Sequence, residues 1–360
     1  MRTGVENSPQ SSKNSANLKV DFYESGDGET IVIQFPDGGL GLIDAHPGSE
    51  NSRPDILELI AGKRLHFVCL THPHADHGVG LIPVLEKHKE IGEFWHTSPD
   101  TSSFVFFCAT QRPNYPSPLR DFINRLADEW AAFLLKLYSA VGDIPERRFH
   151  SGVQPAKIAG VEVWCLGPDE QVANDFVKTY KARAGGQARW LPDPNLLSAI
   201  FALKYGDTVI LLGADALKRN WKHAITVHRK YGLPRAGLLK VPHHGAANAL
   251  ELAGKRDNYL DLCVKDRAAL SVLFAGDSEH PDQTVFRELR ARTQLLCVSN
   301  GLKGAVGDPN PLSIEIPGAR VIRRSYICNP QISVEVDTGG KINVVRGICC
   351  EVCKVNGAVR

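Results

Sequence analysis

Between Thr71 and Gly80 the chain reads THPHADHGVG, with three histidines and an aspartate within six positions, directly after the apolar run LHFVCL. His72 and His74 stand two apart, so an extended chain points both the same way. Asp76 and His77 follow at the start of a segment that reads as a helix. The run can present two imidazoles to one point and a carboxylate with an imidazole to a second point nearby. Imidazole with carboxylate suits zinc, manganese or iron. Other strand ends carry the same residue types. Asp215 ends VILLGAD, where a carboxylate could bridge two cations, and His243 and His244 end LLKVPHHG. The sequence leaves open which of that pair turns inward. Asp44, after LGLI, is placed to accept a hydrogen bond from a ligand histidine and orient it. Any one of these alone is more often a cap or a polar loop residue; together they point to one shared metal site.

The elements that must position these residues alternate between strands and helices. Residues 19–45 read as short strands divided by the turn-rich SGDGE and PDGG, followed by a helix at ILELIAGK and a strand at LHFVCL. VGLIPVLEKHKEI reads as a helix and GEFWHTS as a strand. Over 118–142, Leu119, Phe122, Ile123, Leu126, Trp130, Phe133, Leu134 and Leu137 recur at helical spacing. That stripe is core, or a lid over the site. The second half continues with GVEVWCLGP, LSAIFALKYG, DTVILLGAD, AGLLKVPHHG and LSVLFAGDS, a helix at DQTVFRELRART, then QLLCVSN. A late hairpin turns at Thr338, Gly339 and Gly340. This pattern predicts an α/β fold of two sheets packed face to face with helices outside.

Composition bounds the partners. The 360 residues are 43% apolar and 23% charged with a net charge of +2, so nucleic-acid binding would need a local patch. No apolar run approaches the roughly 20 residues that span a bilayer. Residues 1–18 are polar and read as a disordered lead-in, with no signal-peptide core. Cys69, Cys165 and Cys297, three of the nine cysteines, sit in apolar runs. That usage suits buried thiols in a reducing cytoplasm. We expect one domain over 19–346, with a helical insertion at about 100–150. The tail 347–360 carries Cys349, Cys350 and Cys353. It reads as a partner-docking segment more than a redox pair or a zinc site, and the 118–142 helix is a second candidate partner surface.

The run HPHADH from His72 to His77 resembles the signature of the metallo-β-lactamase superfamily. NLLSAIFALKYGDTVILLGAD (195–215), LLKVPHHGA (238–246) and FAGDSEHPDQTVFREL (274–289) resemble the soluble hydrolase domain of ComEC-type DNA-uptake proteins and its free-standing relatives. The resemblance implies an αββα sandwich of two mixed sheets with one or two divalent metals, zinc or manganese, at one edge. It implies His72 and His74 on one metal, Asp76 and His77 on the other, Asp215 between them and His243 completing the second site, with His244 able to exchange roles with it. His280, before Pro281, matches a histidine near the site in this subgroup, and it is expected to contact or protonate substrate. The third histidine that many members supply to the first metal is missing from the window around CLGPDEQ. A segment containing Asn195 and Ser198 stands near that place instead.

The expected chemistry is hydrolysis by a metal-activated water, with Asp76 and Asp215 holding or accepting a proton. The resemblance favours a nuclease or phosphodiesterase acting on DNA. The alternatives are a hydrolase of a small ester, cyclic nucleotide, amide or thioester, and a non-catalytic metal-binding scaffold. Segment 175–194, with Lys181, Arg183, Arg189 and Trp190, is the expected substrate-binding loop. Arg219 and Lys222 beside Trp221 form a further basic-aromatic cluster.

Overall fold

The computed structural model describes residues 17–23, 28–47, 55–98, 130, 132–184, 192–250, 258–267, 269–274, 280–298 and 331–346. Short runs of β-branched and aromatic residues make fifteen strands. One sheet has eight: β1 (Leu18–Tyr23), β2 (Thr30–Gln34), β3 (Leu40–Ile43), β4 (Leu65–Cys69), β5 (Ile91–His96), β6 (Glu146–Arg148), β14 (Gln331–Val336) and β15 (Ile342–Arg346). Its order is β15-β14-β1-β2-β3-β4-β5-β6. The other has seven: β7 (Ala156–Ile158), β8 (Val161–Gly167), β9 (Ile200–Tyr205), β10 (Thr208–Leu212), β11 (Leu238–Lys240), β12 (Leu270–Phe274) and β13 (Gln294–Val298), in the order β13-β12-β11-β10-β9-β8-β7. Both sheets are mixed. The late hairpin β14–β15 closes onto β1, so the C-terminal strands complete the sheet of the first half.

Three apolar layers hold this α/β sandwich together. The middle one lies between the sheets and joins Phe22, Phe67, Trp95 and Phe149 to Phe201, Leu203, Val272 and Phe274. Phe67 and Trp95 stack at 3.6 Å between ring centroids, and Phe149 meets Phe201 edge-on at 5.5 Å. The outer face of the second sheet is covered by the helices Lys218–Lys230, Tyr259–Cys263 and Gln283–Arg292, through residues such as Trp221, Tyr259 and Phe286. The helix Leu81–Lys87 and residues 132–141 cover the first sheet.

Strand direction decides where the chemistry lies. β3, β4, β5 and β6 run parallel, as do β10, β11, β12 and β13. The loops leaving their carboxyl ends therefore gather at one edge of each sheet, the usual place for ligands in open α/β sheets.

Two expectations need revision. The stretch expected as a substrate loop from residue 175 is instead helical over Glu170–Ala184. Its apolar residues are too sparse to announce a helix, but Ala173 and Phe176 are buried one turn apart, with Val177 packed beside them. Asp169 caps it, its carboxylate accepting from the Gln171 amide at 2.7 Å. The second revision concerns Trp221, which is 2% exposed and packs on Tyr259, so it presents no face on which a base could stack. Within the 118–142 stripe, Leu134 and Leu137 are fully buried, which makes this part core. Residues 118–129 and 131 lie outside the described residues, as do Arg189, Trp190, residues 1–16 of the lead-in and the tail 347–360, whereas Leu18, expected in the disordered lead-in, opens β1. Lys181 and Arg183 fall on the last turn of the Glu170–Ala184 helix, and their side chains are likewise outside the description.

Candidate metal centre

The site is built from loops at the carboxyl ends of the parallel strands. After β4 the chain bends at Thr71–Pro73, and His74 caps the one-turn helix Ala75–Gly78 that carries Asp76 and His77. After β3, Asp44 takes a left-handed backbone, φ 51°. Its buried carboxylate accepts from the Thr71 amide at 2.8 Å, the Thr71 hydroxyl at 2.6 Å and His77 Nδ1 at 2.7 Å. This fixes the His77 ring with Nε2 turned into the cluster, the arrangement that orients and strengthens a metal-ligating histidine. His77 Nε2 is buried and has no hydrogen-bond partner among the described residues.

Across the sandwich, Asp215 follows β10 by way of Ala214, again left-handed at φ 41°. One of its oxygens, Oδ2, lies 3.6 Å from His77 Nε2, 3.7 Å from His244 Nε2 and 3.9 Å from His243 Nε2. His243 and His244 leave β11 with φ of 47° and 51°. Consecutive left-handed non-glycine residues are uncommon and cluster at functional sites. The turn sends the two rings in different directions. His244 is 6% exposed and braced at Nδ1 by the Phe274 carbonyl, whereas half-buried His243 bonds Asn248 at 2.9 Å. His280 lies next to His243, with ring centroids 5.6 Å apart.

Candidate ligand atoms of Asp76, His77 and His244 lie within 4.8 Å of one another, as do those of His72, His77 and Asp215. His74 and His243 join no such group among the described residues. His74 Nδ1 instead lies 3.0 Å from His72 Nε2. Two further groups contain Glu29, one with Asp44 and His77 and one with Asp215 and His244. Asn195 and Ser198 occupy the short turn of helix before β9. This turn is held beside the histidine run by the Ala199 amide on the Thr71 carbonyl, at 3.0 Å. Asn195 Oδ1 and Ser198 Oγ are buried without a hydrogen bond among the described residues.

Glu29 and Lys240 were not singled out by sequence reasoning. A lone acid in SGDGE carries no pattern. Lys240, inside the otherwise apolar GLLKVP, was the available signal, because a buried lysine must find a partner. Lys240 is fully buried, pairs with Glu29 and lies 3.8 Å from Asp215 Oδ1.

The electrostatics divide the ligands. Burial drives the pKa of His72 well below the usual histidine value, helped by the charges of His77 and His74. Burial acts in the same direction on His77, but Asp215 and Asp44 outweigh it and hold its pKa well above that value. For Asp215, burial favours the neutral acid, and His244, His77 and Lys240 together reverse this and hold the carboxyl well below the usual range. The Glu29 carboxyl is pushed up by burial, only partly offset by Lys240. A buried carboxylate facing three imidazole nitrogens, one of them the unpartnered His77 Nε2, is a donor set that fits a divalent cation of the zinc or manganese kind.

Residues 26–127 match the family model described as the metallo-beta-lactamase superfamily. Three solved structures resemble the chain at low identity. The CmlA beta-hydroxylase E377D mutant is 12% identical over 81% of this chain and 53% of its own, TM-score 0.43. A diphosphatase from the PhnP family is 14% identical over 77% and 94%, TM-score 0.38. Igni18, a metallo hydrolase from the hyperthermophilic archaeon Ignicoccus hospitalis KIN4/I, is 13% identical over 78% and 95%, TM-score 0.38. The chain thus spans about half the length of the CmlA hydroxylase. No curated protein matches the sequence. No helix among the described residues is long and apolar enough to cross a membrane.

Proposed function

We propose that this chain, which carries a metallo-β-lactamase-superfamily domain, is a metal-dependent phosphodiesterase whose substrate is DNA. The observation that carries the reading is Asp215 Oδ2, which faces the Nε2 atoms of His77, His243 and His244 within 3.9 Å. Asp76, His77, Asp215 and His244 would hold one divalent ion, and His72, with His74 able to turn beside it, would share a second with Asp215. Such an ion supplies Lewis acidity for a phosphoryl oxygen and lowers the pKa of water towards about 7.

The protein's own groups do the rest. Asp44 and Thr71 keep His77 and His72 in register by hydrogen bonds to their ring nitrogens. Asp76, 38% exposed at its side chain, is the carboxylate on the solvent side and accepts the proton from attacking water. His280, whose ring lies beside that of His243, would protonate the leaving oxygen. Asn195 and Ser198 offer buried polar atoms to substrate or water at the histidine-poor half. The choice of a phosphodiester, and of DNA, is supported by the resemblance of residues 195–215, 238–246 and 274–289 to the ComEC-type hydrolase domain.

One contact favours a second reading. Trp130 Nε1 donates to the Pro73 carbonyl between the two first histidines, which brings a bulky indole against the histidine loop. A mouth narrowed there would suit a small phosphodiester or ester. The test is metal analysis of the purified protein with cleavage assays on single-stranded DNA, duplex DNA and bis(p-nitrophenyl) phosphate. We expect bound metal and cleavage of DNA, both lost in Asp215→Asn. Cleavage of the small diester alone supports the second reading, and stoichiometric metal with no cleavage refutes both.

A further inference from the structure

Beneath the metal-ligand cluster lies an ion pair that joins the two sheets. Glu29 precedes β2 in the first sheet, and Lys240 ends β11 in the second. They are 1% and 0% exposed. Among the described residues, the Lys240 ammonium has three polar neighbours, the Glu29 carboxylate, the Ala214 carbonyl at 2.8 Å and Asp215 Oδ1 at 3.8 Å, with the Phe274 ring 5.8 Å away. Asp215 is therefore shared by atom, with Oδ1 towards Lys240 and Oδ2 towards the three imidazoles.

A buried pair of charges is a weak source of stability, because desolvating both ions consumes most of their attraction. Its attested use is to fix register, and this one stands where the two halves of the ligand set meet. Glu29 alone would be a further carboxylate in the ligand cluster, since it groups with Asp215 and His244. Lys240 alone would be a cation against Asp215, repelling any metal there.

We propose that Glu29 and Lys240 form a positioning device for Asp215. Lys240 holds the backbone by its hydrogen bond to the Ala214 carbonyl and draws Asp215 Oδ1 by charge alone from 3.8 Å, so that the other oxygen faces the histidines. Glu29 neutralises and tethers the ammonium, so that it orients Asp215 without competing with metal. Neither residue is a metal ligand. This inference rests on the metal centre proposed above.

The experiment is cobalt(II) titration of the metal-free full chain, read by the visible d–d absorption band, on wild type, Glu29→Gln and the double variant Glu29→Gln/Lys240→Met. Circular dichroism and thermal melting report folding. In Glu29→Gln the released ammonium moves onto Asp215, and cobalt affinity falls at least about tenfold. Removing the ammonium as well recovers at least about threefold of that loss. The cobalt band stays altered, because Asp215 has lost its orienting contact. Variants indistinguishable from wild type in affinity and band overturn the inference while leaving the metal centre standing. A cobalt-to-protein ratio lowered in both variants, with no recovery in the double, also overturns it, because Glu29 would then be a ligand. If Glu29→Gln does not fold, the double variant decides by its band: altered supports, wild-type overturns. Wild-type protein that takes up no cobalt refutes the metal centre and this device with it.

Discussion

At the scale of the residue, the candidate site gives His77, His243 and His244 one nitrogen to anchor and one to turn towards Asp215. His77 shows it most fully, with Nδ1 on Asp44 and Nε2 free for a ligand bond. Replacing Asp44 with Asn keeps the shape but removes the carboxylate that fixes the ring. We expect metal affinity to fall about 10–100-fold, measured by competition with a chromophoric chelator. The raised pKa of His77 sets a pH dependence. In the metal-free protein this imidazole keeps its proton beyond the pH at which an ordinary histidine releases it, and metal requires the neutral form. Metal uptake therefore expels a proton, and affinity rises with pH until the raised pKa is passed. His72, already neutral, adds nothing to that release. Calorimetry in buffers of different ionisation enthalpy, near neutral pH, would register net proton release on metal binding. The same shift stabilises the metal-free fold fully below about pH 6.5, and that contribution is lost as pH rises through the folded value. Glu29 and Lys240 escaped the sequence reading because a single charged residue has no periodicity; only burial reveals that each needs the other.

At the scale of the element, turns of unusual backbone aim the ligands. Asp44, Ala214, His243 and His244 all adopt positive φ, at the exits of three different strands. Left-handed backbone at non-glycine residues costs about 1–3 kcal/mol each and persists because the packing around it over-determines it. Gly28 is a complementary case: a Cβ there would overlap the Asp76 carbonyl and the His46 side chain. Gly28→Ala should displace the Ala75–Gly78 turn and weaken metal binding without touching a ligand, which metal titration beside a melting curve would show. The helix Gln283–Arg292 starts just after His280 and is capped by Asp282, whose carboxylate accepts from Thr284 and Val285 at 2.8 and 3.1 Å. Asp282→Ala should cost about 0.5–2 kcal/mol in denaturant unfolding. Strand positions were largely legible from apolar runs between turn residues. The Glu170–Ala184 helix was not, because its buried face is only a few residues wide and its composition is polar.

At the scale of the molecule, the proposed metal ligands come from both sheets, so sheet-on-sheet packing is part of the candidate site. His72, Asp76 and His77 follow a strand of the first sheet; Asp215 and His244 follow strands of the second. The aromatic layer of Phe67, Trp95, Phe149 and Phe201 sets their separation. Phe201→Ala, at a side chain 1% exposed between the sheets, should destabilise the fold by about 3–5 kcal/mol. Metal added before melting should recover part of that loss, because it binds only the folded arrangement. Equal melting of loaded and metal-free variant would contradict the view that the centre joins the sheets. The buried cysteines belong to this scale too. Cys165 and Cys263 have thiol pKa values pushed by burial up to about 12, so they pack as apolar groups and not as nucleophiles.

The sequence by itself determined the local chemistry: which residue types stand at strand ends, that His72 to His77 gathers metal-ligand residue types in one run, and that alternating apolar runs build two sheets with helices outside. Those properties follow from spacing along the chain, and spacing is what a sequence contains. Tertiary structure alone decided that His244 is the buried member of the pair, grouped with Asp76 and His77, while half-buried His243 keeps its Nε2 3.9 Å from Asp215. It alone paired Glu29 with Lys240 across more than two hundred residues. It also turned one oxygen of Asp215 to the imidazoles and the other to the ammonium. Each of these depends on backbone torsion and on contacts between distant strands, and neither is encoded by the order of residues within any one segment.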